Sequence, residues 1–447
     1  MAARTGQYNG SFPSAIATRG KTMESSSTTD PVAEPDEAPA ALPPHLLRRE
    51  PILDQHQGLA GYRLRVLWAG TEQTGRDPGA AVMSACRRHG VNACLAYVPH
   101  WLDGTPALLK STFAVTLPRH RTYVEFPDGA ETTPETIQTL QGLAHGGLQF
   151  SIRGDLAAQT EYSALLPFCK VVAFDPTRSS KAEIFRQSFQ HKQAKRLLMA
   201  TGAPDKAALD NFLLLGFTLF EGRQSAVPAP RTTLTPRQKT LLRLVTLILG
   251  GGEIPEIQAS LERDTELVKT LLDMVNTPAY GLSQEVESLS QAIMLLGRRQ
   301  LQRWIQMLMY TESGRPAGFL SPTLIQASAR AHLMEALSTL RHPEQTVRAE
   351  AAFTTGILSP MDQIFHNTMQ DLLSDVELDV PIRQALLQRE GELGQELRLA
   401  TLIFPSNGDA IEDLAPLLAA LELEPDALDP LIQNAFVWAH GVTRAAP

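Results

Sequence analysis

LVKTLLDMVNTPAYGLSQEVESLSQAIMLLGRRQLQRWI, residues 267–305, decides how the second half of the chain is read. An amphipathic helix runs to Val275-Asn276 and stops there. Pro278 pushes its neighbour out of the α region, and Gly281 permits a positive-φ turn. Helical periodicity resumes in SLSQAIMLLG and continues through RRQLQRWIQMLMY. Taken alone, the NTPAYG segment is an ordinary helix–helix turn. The uninterrupted order of helix, turn and helix is what carries information.

Working outward, the same pattern holds on both sides. RQKTLLRLVTLIL places Leu241, Leu244, Val245 and Ile248 on one helical face. Gly250 to Gly252 stop that helix, and IPEIQASLER starts the next with Pro255 near its first turn. Asp264 or Thr265 caps the helix that follows. Further helices are expected at 321–341, 344–358, 361–373, 380–389 and 391–402, then near 410–423 and 425–440. No strand pattern interrupts residues 237–447, so this half is read as all-α with short connections.

Residues 226–236, AVPAPRTTLTP, form a Pro- and Thr-rich linker without hydrophobic period. Residues 1–45 have little to bury and are expected to be a disordered tail. Between them, 46–225 alternates strands with helices, the mark of an α/β domain with a largely parallel sheet. Ile52-Leu53 and Tyr62–Trp68 read as two strands around a turn, with Tyr62, Leu64 and Val66 on one face and Arg63 and Arg65 on the other. Further strands are expected at 91–98, 112–118, 122–126, 148–152, 170–175 and 216–222. Helices are expected at 80–89, 134–145, 181–199 and 204–215. This α/β region, roughly 175 residues, is short for a complete (β/α)₈ barrel of about 250.

Composition bounds the chemistry. The chain has 447 residues, 40 Lys plus Arg against 48 Asp plus Glu, and a formal net charge of −8. That balance opposes a chain-wide phosphate-gripping surface, so DNA is not an expected partner. No apolar run reaches the length of a membrane span, and the first residues lack the apolar core of a secretory signal. Three cysteines, Cys86, Cys94 and Cys169, without C-x-x-C spacing, provide neither a disulfide framework nor a zinc knuckle. A cytoplasmic location with reduced thiols is expected.

The stretch 267–305 resembles the signature of the HDOD family, helical output domains of bacterial signalling proteins. The matching residues are Asn276, Thr277, Pro278, Tyr280 and Gly281, then Val286, Ser288 and Leu289, then Leu296 and Gly297. VPIRQALLQREGELGQEL at 380–397 resembles the closing helices of that family, and the resemblance covers most of 237–405. In bacterial proteins HDOD domains follow EAL domains, and EPILDQHQGLAGYRLRV resembles an EAL opening. The resemblance implies a truncated or modified TIM-barrel-like EAL domain at 46–225 followed by an HDOD helical bundle at 237–447. Active EAL domains hydrolyse cyclic di-GMP with two metal ions held by carboxylates.

The departures from the EAL pattern fall on the implied ligands. Arg63 stands where the signature glutamate belongs, and Val115 where a metal-binding asparagine belongs. Glu125 is retained. The paired aspartates read Arg153-Gly154, with Asp155 beyond. Ala173 replaces a lysine, Asp175 survives, and the final glutamine aligns with Glu221. Two-metal hydrolysis needs several carboxylates around cations about 3.5–4 Å apart. A guanidinium at the first position repels cations and has no lone pair for one. The helical half lacks the His-Asp dipeptide of HD hydrolases, and His332, His342, His366 and His440 lack ligand spacing.

Other motifs are bland. HKQAKR at 191–196 and RRQLQR at 298–303 are short basic runs, solvated faces in the plain reading and local anion sites in the sharper one. Met294, Met307, Met309 and Trp304 read as core. The chain is therefore expected to be a non-catalytic signalling protein with no cofactor and no metal. Its HDOD half would bind other regulatory proteins, and homodimers are compatible with both domain types. The alternative is a receptor that holds cyclic di-GMP or another nucleotide through Arg63, Arg65 or Arg153 without cleaving it. A residual phosphodiesterase using Glu125, Asp155 and Asp175 ranks last.

Overall fold

The computed structural model describes residues 42–70, 75–95, 97–202, 206–221, 236–276, 285–310, 321–374, 376–405 and 413–445. The expected tail and linker lie almost wholly outside these residues. The N-terminal half is a closed eight-stranded barrel. Its strands are β1 (His45–Asp54), β2 (Leu59–Trp68), β3 (His100–Asp103), β4 (Thr122–Glu125), β5 (Gln149–Arg153), β6 (Cys169–Phe174), β7 (Leu197–Thr201) and β8 (Leu219–Glu221). β1 runs antiparallel to both β2 and β8, and every other neighbouring pair is parallel.

The barrel closes despite the short chain, so of the expected truncated or modified TIM-barrel-like forms it takes the modified one. The reason lies in the connections. β1 and β2 form a hairpin with no helix between them, and Asp54 accepts from the backbone N–H groups of His56 and Gly58 to shape its turn. Other connections use helices of four residues, Pro106–Leu109 and Gly154–Ala157, with adjoining 3₁₀ turns.

Three local expectations fail. The expected strand 91–98 is instead a short helix at Val91–Leu95. The expected strand 112–118 is a 3₁₀ turn at Thr112–Thr116, and the true third strand is HWLD at 100–103. The helix expected to reach Met199 stops at Gln193, and Lys195 takes φ +56° before β7 begins. Strands of four or five residues are too short to show alternation against their surroundings.

A (β/α)₈ barrel buries the outside of its strands under its own helices. The β1–β2 hairpin has no helix between its strands; helix Pro78–His89 covers part of its outer face, with Leu47, Leu53 and Leu64 in the barrel's own core, and the rest needs another cover. Leu59 and Tyr62 from that face, with Leu46 and Val98, join the hydrophobic core of the helical half. Helices Gly391–Ile403 and Pro425–Ala445 touch β1, and Leu414–Leu421 touches β2. The two halves thus share one apolar cluster.

The helical half follows the expected order, from Pro236–Leu249 through Ile254–Leu261 and Thr265–Val275 to Pro425–Ala445. Helices Pro322–Arg341 and Thr346–Leu358 pack as a central pair. Leu289–Leu308 breaks at Gly297, whose φ +69°, ψ 169° only glycine adopts readily. Met294 is 78% exposed, so it is not core, whereas Met307, Met309 and Trp304 are buried as expected.

Candidate functional site at the barrel mouth

In barrels of this kind chemistry is done at the C-terminal ends of the parallel strands. Most residues singled out in the sequence lie there. Glu125 ends β4, Arg153 ends β5 and Glu221 ends β8, while Asp175 follows β6. Alternation along β2 turns Tyr62 and Leu64 outward and Arg63 inward. Arg63 is 1% exposed.

The Arg63 guanidinium is gripped by two carboxylates. Its Nη2 donates to Glu125 Oε2 at 2.8 Å and to Glu221 Oε2 at 2.7 Å, and its Nε donates to Glu221 Oε1. Burial alone would lower the pKa of Arg63, but Glu221 and Glu125 outweigh it and hold the group firmly protonated. Arg65 extends the network to Glu50 at 3.6 Å, Asp103 at 3.3 Å and Glu221 at 3.4 Å.

A second cluster occupies the β5–β6 side. Arg153 makes forked contacts with Asp128 at 2.7 and 3.0 Å and with Asp155 at 2.9 and 3.1 Å. Hydrogen bonds from Asp155 and Asp128 raise the pKa of Arg153, and in return Arg153 holds the Asp128 carboxyl below its usual range. Asp175 Oδ1 accepts from the Thr177 backbone N–H at 2.7 Å and from its hydroxyl at 2.6 Å. Arg178 stands 3.8 Å from the same carboxylate.

Two of the singled-out positions fill space, and a third sits elsewhere. Ala173 joins Ile52, Trp101, Val171, Met199 and Leu219 in the barrel interior, where Trp101 stacks on Tyr123 at 4.3 Å. Gly154 lies so close to Phe174 that a Cβ would sit 2.5 Å from its ring. Val115 is 68% exposed on its 3₁₀ turn and takes no part in the mouth, which corrects the assignment made from sequence. The residue that β3 delivers instead is Asp103, level with Glu125 across the β3–β4 pair. Sequence reasoning also missed Glu50, Asp128 and Arg178, which barrel closure sets beside Arg65, Arg153 and Asp155 from other segments of the chain.

The carboxylates do not fit a pair of metal ions. Glu125 and Glu221 both turn toward a permanent cation, and Asp155 is shared with Arg153. Among the described residues no three His, Cys, Asp or Glu side chains are grouped to hold an ion. Arg63, Arg65 and Arg153, offered in the receptor reading as phosphate ligands, are each engaged by carboxylates.

In the helical half, Asn276 does more than end a helix. Its side chain donates to the Val286 carbonyl at 2.9 Å and accepts from the Val286 N–H at 2.8 Å, pairing with that peptide as a strand would. Ser288 caps the next helix by accepting from the Gln291 N–H, and Leu289 and Leu296 are buried. Thr277, Pro278, Tyr280 and Gly281 lie outside the described residues. Of the histidines, His332 stacks on Trp438 at 4.8 Å, His342 faces Glu392 at 3.5 Å, and His440 stacks on Tyr97 at 4.9 Å. His366 takes a left-handed turn at φ +49°.

Residues 250–388 match the model of the HDOD domain. The uncharacterized protein YuxH of Bacillus subtilis (strain 168) is 29% identical over 195 residues, 43% of this chain and 45% of YuxH, so the chain spans less than half of that relative. The cyclic di-GMP phosphodiesterase CdgJ of Vibrio cholerae is 23% identical over 337 residues, 74% of this chain and 76% of CdgJ. Among solved structures, an EAL domain protein from Listeria monocytogenes EGD-e covers 40% of this chain and 85% of its own, at 12% identity and TM-score 0.33. The PaMucR phosphodiesterase in complex with c-di-GMP covers 40% of this chain and 93% of its own, at 15% identity and TM-score 0.34. The chain joins a closed eight-stranded barrel to a helical half in which residues 250–388 match the HDOD domain, and over 74% of its length it is similar to a cyclic di-GMP phosphodiesterase.

Proposed function

We propose that this chain is a non-catalytic signalling protein. In this reading its barrel is a structural or regulatory module, and its HDOD half is the surface that binds other regulatory proteins. The observation that carries the reading is the Arg63 guanidinium between Glu125 and Glu221. An internal cation occupies the charge field where two-metal hydrolysis would need external ones. The shared apolar cluster and the polar contacts between the halves support the second part. A signal that shifts the barrel would be felt directly by helices Gly391–Ile403 and Pro425–Ala445.

The test is a phosphodiesterase assay of the full chain on cyclic di-GMP with magnesium or manganese, beside affinity capture of partners. No turnover together with specific capture by both the full chain and the HDOD half is expected. Turnover that Asp175→Ala abolishes would overturn the reading.

A receptor for cyclic di-GMP is the second reading, and the similarity to CdgJ, a cyclic di-GMP phosphodiesterase, favours it. It requires Arg63, Arg65 or Arg153 to exchange a carboxylate for phosphate. Calorimetry with cyclic di-GMP at physiological salt separates the two. Silence leaves the first reading standing, and saturable heat lost in Arg153→Ala selects the second.

A further inference from the structure

The basic run RRQLQR, left aside by the reading of the barrel, lines a concavity of about 230 Å³ between helices Leu289–Leu308 and Thr346–Leu358. Its walls are Arg298, Arg299, Gln302, Arg303, Glu350 and Thr354, with Phe353 beneath. The break at Gly297 restarts the helix at Arg298, so positions 298, 299, 302 and 303 repeat at helical spacing on one face.

The arrangement is already that of an oxyanion clamp. Arg299 and Arg303 both donate through Nη2 to one oxygen of Glu335, and Arg299 Nε also lies 3.1 Å from Glu350. Arg303 lies over Phe353, its guanidinium carbon 4.2 Å from the ring centroid. Arg298 donates to the backbone carbonyls of Gly252 at 3.0 Å and Ile248 at 3.4 Å, and among the described residues no carboxylate pairs with it. Three guanidiniums therefore meet two carboxylates, leaving a local positive excess on a chain of net charge −8. A carboxamide and a hydroxyl add donors on the same wall.

We infer that this pocket binds a phosphoryl dianion, as free phosphate or as a small phosphomonoester. Arginine forks match the geometry of phosphate oxygens. Size narrows the class. The volume holds several waters' worth of space at about 30 Å³ each, yet falls below the ~300–1,000 Å³ of sites for drug-sized ligands. A cyclic dinucleotide is too large. The inference is independent of any activity in the barrel.

The test is calorimetry and ³¹P NMR on the full chain with inorganic phosphate, with O-phosphoserine and with sodium chloride at matched ionic strength. Saturable binding of phosphate, of phosphoserine or of both, absent with chloride, is expected, and the stronger of the two identifies the source. Arg298 and Arg299 are exposed, so Arg298→Gln with Arg299→Gln should leave folding intact. That variant should weaken binding by at least ~10-fold. Glu350→Gln removes a competing carboxylate and should tighten binding, an effect that a merely structural salt bridge would not produce. No binding at millimolar phosphate, or binding unchanged in the double variant, overturns the inference.

Discussion

Two guanidiniums are fully buried in this barrel, and they face opposite ways. Arg63 points into the mouth and meets carboxylates from β4 and β8. Arg49, on β1, points out toward the helical half and meets neutral groups. It donates to Gln433 Oε1 at 2.7 Å and to the Cys94 carbonyl at 3.2 Å, and it lies 4.0 Å from the centroid of Phe436. Burial drives the two pKa values apart according to partner. The glutamates more than offset desolvation at Arg63, whereas at Arg49 desolvation wins and the pKa falls below the usual guanidinium value. The lesson is that one charge organises the mouth and the other sits at a joint held mainly by packing.

The joint is built around the outward face of β1 and β2. Tyr62 hydroxyl and His440 Nε2 are 3.2 Å apart, and Tyr62 meets Phe436 edge-on at 5.7 Å. Burial pushes His100 beside them down to about 3, so it stays neutral. On its rim Asp429 accepts from Arg88 at 2.7 Å and pairs with His89 at 2.8 Å.

The sharpest way to break the comparison is Arg63→Met. It leaves Glu125 and Glu221 facing each other with only the exposed Arg65, 3.4 Å from Glu221, as counter-charge. Removing one partner of a buried ion pair typically costs ~3–5 kcal/mol, and denaturant unfolding at neutral pH should show a loss of that order. Adding Glu221→Met should recover part of it. A loss under about 1 kcal/mol, the level of an exposed pair, would mean that the mouth is solvated and the contrast false.

Asp429→Asn should come next, at ~1.5–3 kcal/mol for hydrogen bonds to a charged group. Burial pushes this carboxyl up, but the bonds from His89 and Arg88 bring it below the usual range of an aspartate. Its folded pKa is thus the lower one. The stabilisation is complete above the unfolded pKa and fades as pH falls through the folded one. A pH series should show the wild type and Asp429→Asn converging in acid, and parallel curves would count against the assignment.

Tyr62→Phe removes one neutral hydrogen bond at the joint, worth ~0.5–1.5 kcal/mol. Arg49→Met should have the smallest effect, since lost hydrogen bonds are set against relief of an uncompensated buried charge. Thermal unfolding should place it well below Arg63→Met. Equal losses at the two arginines would show that carboxylate pairing is not what distinguishes them.

Much of the helical half was legible from residues alone. Helical period, the stop at Asn276 and the glycine stop at 250–252 are local properties of a chain whose bonds close within a few residues. The long strands β1 and β2 were legible for a similar reason, because ten residues can display alternation. HWLD and LLMAT could not be seen that way. Val115 was misplaced for want of the third strand, and Asp103 was missed with it.

The sequence by itself determined the division into an α/β half and an all-α half, and the presence of arginine where a metal ligand was implied. Local chemistry suffices for both: periodicity sets the elements, and a guanidinium has no lone pair to offer a cation. Only the tertiary structure decided where that charge goes. Barrel closure brings residues 63, 125 and 221 within hydrogen-bond reach. It also leaves part of the β1–β2 face to be covered by the distant C-terminal helices. Such contacts depend on strand register and on which part of a face the barrel's own helices leave uncovered, and neither is written in any short stretch of the chain.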